Sequence, residues 1–399
     1  KLKFTTKIFY TLSIFFFYFP FSNRILNNKR TYPIITFLFL GINMMRELAL
    51  KTRKKAIKRI RRKTPEELAT SWCQEDLLYS GKGKAIFMIL PTRGCSWALS
   101  KSGGCTMCSY LSDSLLEDIK AEKLNKIFKD LISQYRIKEK TAVKIFISGS
   151  FLNPEEFPEE SRKFILEYLN KIDKIEEIIT ESRPEYVNKK ILIECCKQAP
   201  NKILEVSIGL ETADDYTRKY KINKGFTKED FKRAIRCIKS LKGDFNIKSK
   251  AYIFIKPILT SEKEAIQDAI DSAVYAEKVG VDRISFCPST IHKGTVMEEL
   301  WKRSSYKPPW IWSLIEIINN TRKNLKIPTI MDTSGVGTPR GPYSCKKCNL
   351  KLKKLIIESN LTQKTIPPIK CNCYNRWVAE KELGDFTRST NNIKYQTYG

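Results

Sequence analysis

The chain predicts an α/β fold in which a parallel sheet is covered by helices. Two observations carry that reading: six short, continuously apolar β-rich runs recur from residue 84 onward, and amphipathic helical stretches separate them. A third locates the chemistry. A loop bearing three cysteines follows the first run, at a strand's carboxyl end, where α/β folds carry their sites. Fewer than eight units points to a partial barrel or an open doubly wound sheet.

Taken in order, the strands are expected at Ala85–Leu90, Val143–Ser148, Ile175–Thr180, Leu204–Leu210, Ala251–Ile255 and Arg283–Cys287. Their apolar residues run on without alternating, as strands buried on both faces require. Helical periodicity places helices at Ala121–Gln134, Glu159–Lys171, Tyr186–Lys197, Lys228–Ser240 and Glu262–Val279. After Thr295 the pattern changes: Trp301, Pro308, Pro309, Trp310 and Trp312 precede a helix, and a cysteine-bearing tail follows. Four segments are expected: a hydrophobic leader at 1–43, a basic helical segment at 44–83, the catalytic core at 84–300 and an extension at 301–399. No Walker-type loop is present, and Gly335-Val-Gly337 leads to Pro339 instead of a strand–helix turn, so it is no dinucleotide fingerprint.

Composition narrows the function classes. With 399 residues, 42% of them hydrophobic, and 21 Phe, 17 Tyr and 6 Trp, the chain can build a core and is not globally disordered. Charge spread along the chain excludes a polytopic membrane protein. A formal net charge of +29 favours a polyanionic partner, nucleic acid ahead of a membrane surface. His292 is the only histidine, which excludes His-pair metal sites and disfavours a histidine-based hydrolase. Its place in Ile-His-Lys-Gly suits a hydrogen-bonding loop residue.

The first 43 residues hold nine Phe and no Asp, Glu, Ala or Val, and the first Met is Met44. The apolar runs Ile8–Phe21 and Ile34–Ile42 are shorter than a membrane span and interrupted by Pro20 and Pro33. AT-rich upstream sequence read from a wrong start accounts for this composition, with the working protein beginning at Met44 or Met45; a membrane anchor is the competing reading. Lys51–Lys63 then carries nine basic residues in thirteen. Such a run is a solvated helix face or, since like charges repel unless neutralised, a contact for RNA phosphates. Thr64-Pro-Glu-Glu starts a further helix.

Twelve cysteines without a convincing secretory signal argue for metal or redox chemistry. Cys73, Cys195, Cys196, Cys237 and Cys287 fall on apolar patterns and are expected in the core. Cys95-x9-Cys105-x2-Cys108 offers three close thiolates, suited to a 4Fe–4S cluster whose fourth iron stays open. Zinc competes, but structural zinc wants four ligands and no fourth follows nearby. Cys345-x2-Cys348-x22-Cys371-x-Cys373 forms a second group in a Lys-rich segment. Zinc (Zn2+) in a small ribbon is the first choice there and a second iron–sulfur cluster the runner-up. Trp377 is expected to pack over that site.

The Cys-x9-Cys-x2-Cys loop after the first strand resembles radical S-adenosylmethionine (SAM) enzymes, in the spacing of the Elongator catalytic subunit. Ser148-Gly149-Ser150 sits where those enzymes have Gly-Gly-Glu, which holds the SAM amino group; Ser150 replaces the acid, leaving backbone and hydroxyl contacts. Glu181-Ser-Arg183-Pro184, Gly209-Leu-Glu211-Thr, Arg218, Asn223-Lys-Gly225 and Thr227 follow in that subgroup's order. Arg93-Gly-Cys95-Ser-Trp97, Gly103-Gly-Cys105-Thr-Met-Cys108-x-Tyr110, Tyr306-x-Pro-Pro-Trp310-Ile-Trp312 and Arg340-Gly-Pro-x-x-Cys345-x-x-Cys348 narrow the likeness to the radical-SAM subunit of archaeosine synthase, over roughly residues 65 to 377.

That resemblance implies a partial (β/α)6 TIM-like barrel with a small four-cysteine metal-binding extension. It implies SAM contacts from Met107, Ser148, Gly149, Ser150, Arg183, Glu211 and Arg218, with Met107 against the adenine; the plainer alternatives are Met107 as a loop-anchoring hydrophobe and Arg183 or Glu211 as capping or ion-pair residues. It also implies a cytoplasmic enzyme with three partners: the D-arm of tRNA, a lysine-adding subunit and an external electron donor; no membrane partner is expected. The reaction implied is carbon–nitrogen cleavage of a lysine adduct on a tRNA 7-deazaguanine. Two other readings stand beside it. One is another radical-SAM RNA enzyme, a methylthiotransferase or an Elongator-like acyl transferase, the latter disfavoured by the short chain left after the sixth strand. The other is a non-catalytic RNA-binding protein whose first cluster is structural.

Overall fold

The computed structural model of the chain describes residues 33–384, and the expectation of an apolar run at Ile8–Phe21 lies outside the described residues. Helix α1 (Pro33–Lys58) runs unbroken across the expected boundary at residue 43. A single turn, α2 (Pro65–Leu68), follows, started by a capping box in which Thr64 and Glu67 satisfy each other's backbone N–H groups.

The sheet has eight strands in sequential order. Strands β1 (Thr70–Leu78) and β2 (Gly81–Ile89) form an antiparallel hairpin, so the segment expected to be helical through residue 83 is a strand pair after Leu68. Strands β3 (Thr141–Phe146), β4 (Ile175–Ser182), β5 (Ile203–Glu211), β6 (Ile247–Ile255), β7 (Arg283–Pro288) and β8 (Thr329–Met331) continue it in parallel. The six expected strands are β2 to β7. The two additional ones escape pattern reading for different reasons: β1 (TSWCQEDLL) is polar and largely exposed, and β8 has only three residues.

Connecting helices cover the sheet: α4 (Ala121–Ile132), α5 (Glu159–Asn170), α6 (Lys189–Gln198), α7 (Lys228–Lys239) and α8 (Glu262–Val279), after a short α3 (Ser96–Leu99) in the cysteine loop. Local chemistry sets their ends. Ser261 and Glu264 make a capping box at the start of α8, and Gly280, at φ +99°, ends it in the left-handed region.

The amino ends of the strands are closed by an ionic plug. Arg283 lies 3.3 Å from both Glu177 and Glu205, and Lys250 lies 2.7 Å from Glu205. Tyr79, from the β1–β2 turn, donates its hydroxyl to Glu205 at 2.7 Å, and Arg283 stacks 4.0 Å over its ring. Burial alone would push the Glu205 carboxyl up; Arg283 and Lys250 outweigh it and hold it down at about 2. With that end filled, ligand access belongs to the carboxyl ends.

The residues after 300 share the core. Helices α9 (Val296–Lys302), α10 (Ile311–Asn324), α11 (Asn349–Thr362) and α12 (Cys373–Leu383) follow, and Trp310, Trp312, Leu352 and Trp377 join the main apolar cluster. Helix α11 touches both edge strands, β1 and β8, and so spans the open side of the half-barrel. Asn360 exchanges hydrogen bonds with both backbone groups of Met331 (2.9 and 2.8 Å), and Gln363 does the same with Thr329 (3.1 and 3.2 Å). Side-chain amides thus occupy the peptide groups a further strand would take, which blunts the β8 edge. No helix among the described residues is long and apolar enough to cross a membrane.

Candidate active site

The loop after β2 carries Cys95, Cys105 and Cys108. Gly94 turns it at φ +108°, and a Cβ there would stand 2.6 Å from a Leu111 methyl carbon. Cys95 then starts α3, and the Cys108 N–H donates to Cys105 O at 3.3 Å, folding the last two cysteines into one turn. The loop is held from outside at several points. Asn223, itself left-handed at φ +59°, donates its side-chain amide to the carbonyls of Ser102 (2.9 Å) and Gly104 (2.8 Å). Trp97 donates back to Asn223 O at 2.8 Å, and a Cβ on Gly225 would lie 2.4 Å from the Trp97 ring. Thr106 bonds the carbonyls of Lys221 and Ile222, in the π turn Thr217–Ile222 that follows β5. The motif Asn223-Lys224-Gly225 is therefore the seat of the cysteine loop.

Cations surround the thiols. The Arg183 guanidinium stacks between Trp97 (5.2 Å) and Phe226 (5.4 Å) and donates to Glu185 (2.6 Å) and Lys224 O (2.9 Å). Lys224 pairs with the buried Glu211, whose backbone sits at φ +63°. Burial opposes the Lys224 charge, but Glu211 and the Cys105 sulfur outweigh it and raise its pKa. Burial likewise pushes the Cys95 thiol up to about 12, reinforced by Glu156 and opposed by Arg183. Cys105 rises for the same first reason. A metal must therefore displace protons to bind here.

Sequence reasoning missed Glu156 and Arg53. The Glu156 carboxylate accepts from Ser96 N at 2.7 Å and Ser150 N at 2.5 Å, and a Cβ on Gly149 would collide with it. An acid thus reaches the Ser148–Ser150 turn from six residues downstream, where a motif search does not look. Arg53, from the basic run, is 5% exposed and donates to Gly103 O (3.1 Å) and Cys108 O (2.7 Å). Among the described residues it has no carboxylate partner.

The other expected contacts divide. Ser148 donates to Tyr110 O at 2.8 Å, tying β3 to the cysteine loop. The Ser150 hydroxyl is fully buried and accepts from Arg183 N at 3.2 Å, so outward contact from this turn would run through backbone. Met107 packs against the apolar cluster of Met45, Ala49 and Met297, anchoring the loop. Arg218 is fully buried and donates to the carbonyls of Leu210 (3.1 Å) and Thr212 and to Asp215; it shapes the Glu211 turn and faces no ligand space. Glu181, at the end of β4, has its carboxyl raised to about 7 by burial, against the pull of Tyr252 and Lys250. His292 is exposed, and its backbone carbonyl accepts from Thr295 at 2.8 Å.

The second cysteine group is a tight set. Sulfur–sulfur distances are 3.3 Å for Cys345–Cys348, 3.6 Å for Cys345–Cys371, 3.5 Å for Cys348–Cys373 and 3.4 Å for Cys371–Cys373. A single tetrahedral ion about 2.3 Å from each sulfur sets edges of about 3.8 Å. A cubane, with each thiolate on a different iron, spreads its ligands further. The geometry thus suits one ion. Trp312 donates to Cys373 Sγ at 3.2 Å, and Trp377 packs beside the site, 3% exposed. Cys95, Cys105 and Cys108 form no such tight set. Of the five cysteines expected in the core, Cys195 and Cys196 are buried and Cys237 and Cys287 partly so, but Cys73 is exposed on β1, an edge strand with a polar outer face.

No family model matches the chain. Among solved structures, methylornithine synthase aligns over 90% of this chain and 92% of its own at 11% identity, with a TM-score of 0.45. An archaeal Elp3 from Methanocaldococcus infernus aligns over 59% of this chain and 57% of its own, at 16% identity and a TM-score of 0.41. These likenesses are distant. Sequence relatives are nearer. An uncharacterized protein of Methanocaldococcus jannaschii is 40% identical over 348 residues, 85% of this chain and 93% of the relative. Archaeosine synthase subunit beta of Methanosarcina acetivorans is 34% identical over 331 residues, 81% and 92% of the two chains. The subunit of that name from Thermococcus kodakarensis is 35% identical over 326 residues, 79% and 98%. At that identity over nearly the whole of each relative, the chain belongs to the archaeosine synthase subunit beta family.

Proposed function

We propose that the protein is a radical-SAM tRNA-modifying enzyme that cleaves the carbon–nitrogen bond of a lysine adduct on a D-loop 7-deazaguanine, leaving the formamidine of archaeosine. The observation that carries this is the three-cysteine loop at the carboxyl ends of the strands, clamped by Asn223, Arg53 and the Trp97–Arg183–Phe226 stack. Cys95, Cys105 and Cys108 would hold a 4Fe–4S cluster. The donor set fits an anionic cluster, because among the described residues the buried Arg53 cation has no carboxylate partner and lies against the Cys108 carbonyl. When bound, cluster and SAM supply the one-electron chemistry that yields a 5′-deoxyadenosyl radical, drawing on an external electron donor.

The chain's own residues bind, orient and shield. Arg183 and Lys224 lie where they oppose negative charge beside the cysteines and can receive the SAM carboxylate. The Gly149–Ser150 backbone, backed by Glu156, faces the amino group, and Glu211 and Met107 complete the cradle. Arg218 fixes the turn that presents Glu211. Glu181 and Tyr252 line the barrel beneath as hydrogen-bonding groups for the substrate. The ionic plug of Arg283, Glu177, Glu205 and Lys250 closes the far end to water. Zinc on Cys345, Cys348, Cys371 and Cys373 is structural, since all four positions are taken by thiolates. The lysine-adding subunit supplies the adduct, in the cytoplasm.

Mass spectrometry of tRNA nucleosides tests the reading, after anaerobic incubation of reconstituted protein with adduct-bearing tRNA, SAM and reductant. Conversion of the adduct to archaeosine with formation of 5′-deoxyadenosine is expected. Unchanged adduct alongside 5′-deoxyadenosine would refute the assigned substrate.

A further inference from the structure

Helix α1 has two chemically different faces. Its buried residues Met45, Ala49, Thr52 and Arg53 recur at i, i+4, i+7 and i+8, one stripe of a helix. That stripe lies on the cysteine loop. Arg53 bonds Gly103 O and Cys108 O, and a Cβ on Gly103 would stand 2.3 Å from Leu50 N. A Cβ on Gly294 would stand 2.7 Å from Ala56 Cβ, so the loop after β7 meets the same helix. Contacts with Tyr110–Asp113, the π turn and α9 complete the path. Helix α1 thus runs along the rim of the candidate active site.

Between residues 46 and 58 the opposite face is almost purely cationic. Lys51, Lys54, Lys55 and Lys58 are exposed, as are Arg46, Arg59, Arg61, Arg62 and Lys63. Glu47 is the only acid from residue 44 to 63. Among the described residues, none of the four lysines pairs with a carboxylate. Lys51 and Lys55, and Lys54 and Lys58, are like charges one turn apart, which disfavours the isolated helix. Stability does not explain this face, and a polyanion at the rim does.

We propose that the outer face of α1 is the surface on which the tRNA phosphate backbone docks, so that one helix seats the cysteine loop and holds the substrate at the mouth. This rests on the tRNA reading above. A lipid surface is the weaker occupant. Between residues 44 and 58 the inner stripe is spent on the loop, and Leu48, Leu50 and Ile57 are already half-buried, which leaves no apolar face to enter a bilayer.

The test compares the full chain with its Lys51/Lys54/Lys55/Lys58→Gln variant, binding a labelled tRNA transcript by fluorescence anisotropy between about 50 and 200 mM salt. The variant is expected to keep its iron content and unfolding midpoint and to bind at least about tenfold more weakly. Its plot of log affinity against log salt should be shallower by about 3, for four lost contacts. Wild-type tRNA binding with unchanged affinity and slope in the variant would overturn the docking surface while leaving the tRNA reading intact. Loss of iron in step with loss of binding would reassign the face to structure. A wild-type protein that binds no tRNA would overturn the tRNA reading, and this surface with it. Loss of binding to phosphatidylserine vesicles, with tRNA binding unchanged, would give the face to a membrane.

Discussion

The seating of α1 on the cysteine loop can be tested with three glycines that differ in one respect at a time. Gly243 has open space around it and no left-handed backbone, so an added Cβ meets nothing. Gly81 also has open space but sits at φ +115°. Gly103 sits at φ +73° with the backbone of Ala49 and Leu50 2.3 to 2.6 Å from an added Cβ. Gly243→Ala should stabilise by about 0.4–1 kcal/mol, through the unfolded chain. Gly81→Ala should cost about 1–2 kcal/mol of left-handed strain alone. Gly103→Ala adds about 1–3 kcal/mol of overpacking to similar strain, about 2–5 kcal/mol in all, because backbone cannot swing aside as a side-chain tip can. Urea unfolding followed by circular dichroism reads the series, and iron content reads the loop directly. Iron should fall in Gly103→Ala and hold in the other two. A Gly103→Ala protein as stable and iron-loaded as Gly81→Ala would mean α1 does not rest on the loop.

Asn223→Ala removes two hydrogen bonds to the loop and leaves alanine in the left-handed region, together about 2–3 kcal/mol. Iron per protein should drop while the C-terminal metal is retained, as read by elemental analysis. Glu205→Gln leaves Arg283 and Lys250 short of an anion in the plug and should cost about 3–5 kcal/mol, read from the unfolding midpoint. The folded-state pKa of Glu205, about 2, lies below its ordinary value of 4.5. Its contribution is therefore complete above pH 4.5 and disappears as pH falls through 2; Glu205→Gln should flatten the acid limb of the stability profile. A strong chelator should remove one ion per chain from the four-cysteine set and lower the unfolding midpoint, since Cys348 and Cys373 begin the two helices α11 and α12.

How much was readable in advance depended on whether a residue's role is local. Strands β2 to β7 and helix α8 announce themselves by continuous apolar runs and 3.6-residue periodicity, and the structure places α8 at the expected residues, Glu262–Val279. Cysteine spacing marked both groups, and the structure brings Cys345, Cys348, Cys371 and Cys373 into one tight set. What pattern reading missed depends on distant partners. Strand β1 is polar because its outer face meets solvent, and β8 pairs with β7 over only three residues, its outer edge met by the side chains of Asn360 and Gln363. Arg53 looks like its neighbours in a basic run, and only the docking of α1 separates the one inward guanidinium from the outward lysines. Glu156 reaches the Ser148–Ser150 turn because the chain folds back on itself there. Arg218 differs the other way: its place in a motif suggested a ligand contact, but its donors are spent on the carbonyls of Leu210 and Thr212 and on Asp215.

Whether Cys95, Cys105 and Cys108 hold a cluster with one iron open to SAM is tested most directly by electron paramagnetic resonance of the reduced, reconstituted protein. Spectra are taken with and without SAM, on a Cys371→Ser background that removes the second thiolate set. The expected result is a cluster signal that survives Cys371→Ser, changes on adding SAM and is lost in Cys105→Ala. A signal indifferent to SAM, or one lost with Cys371→Ser, would contradict that assignment.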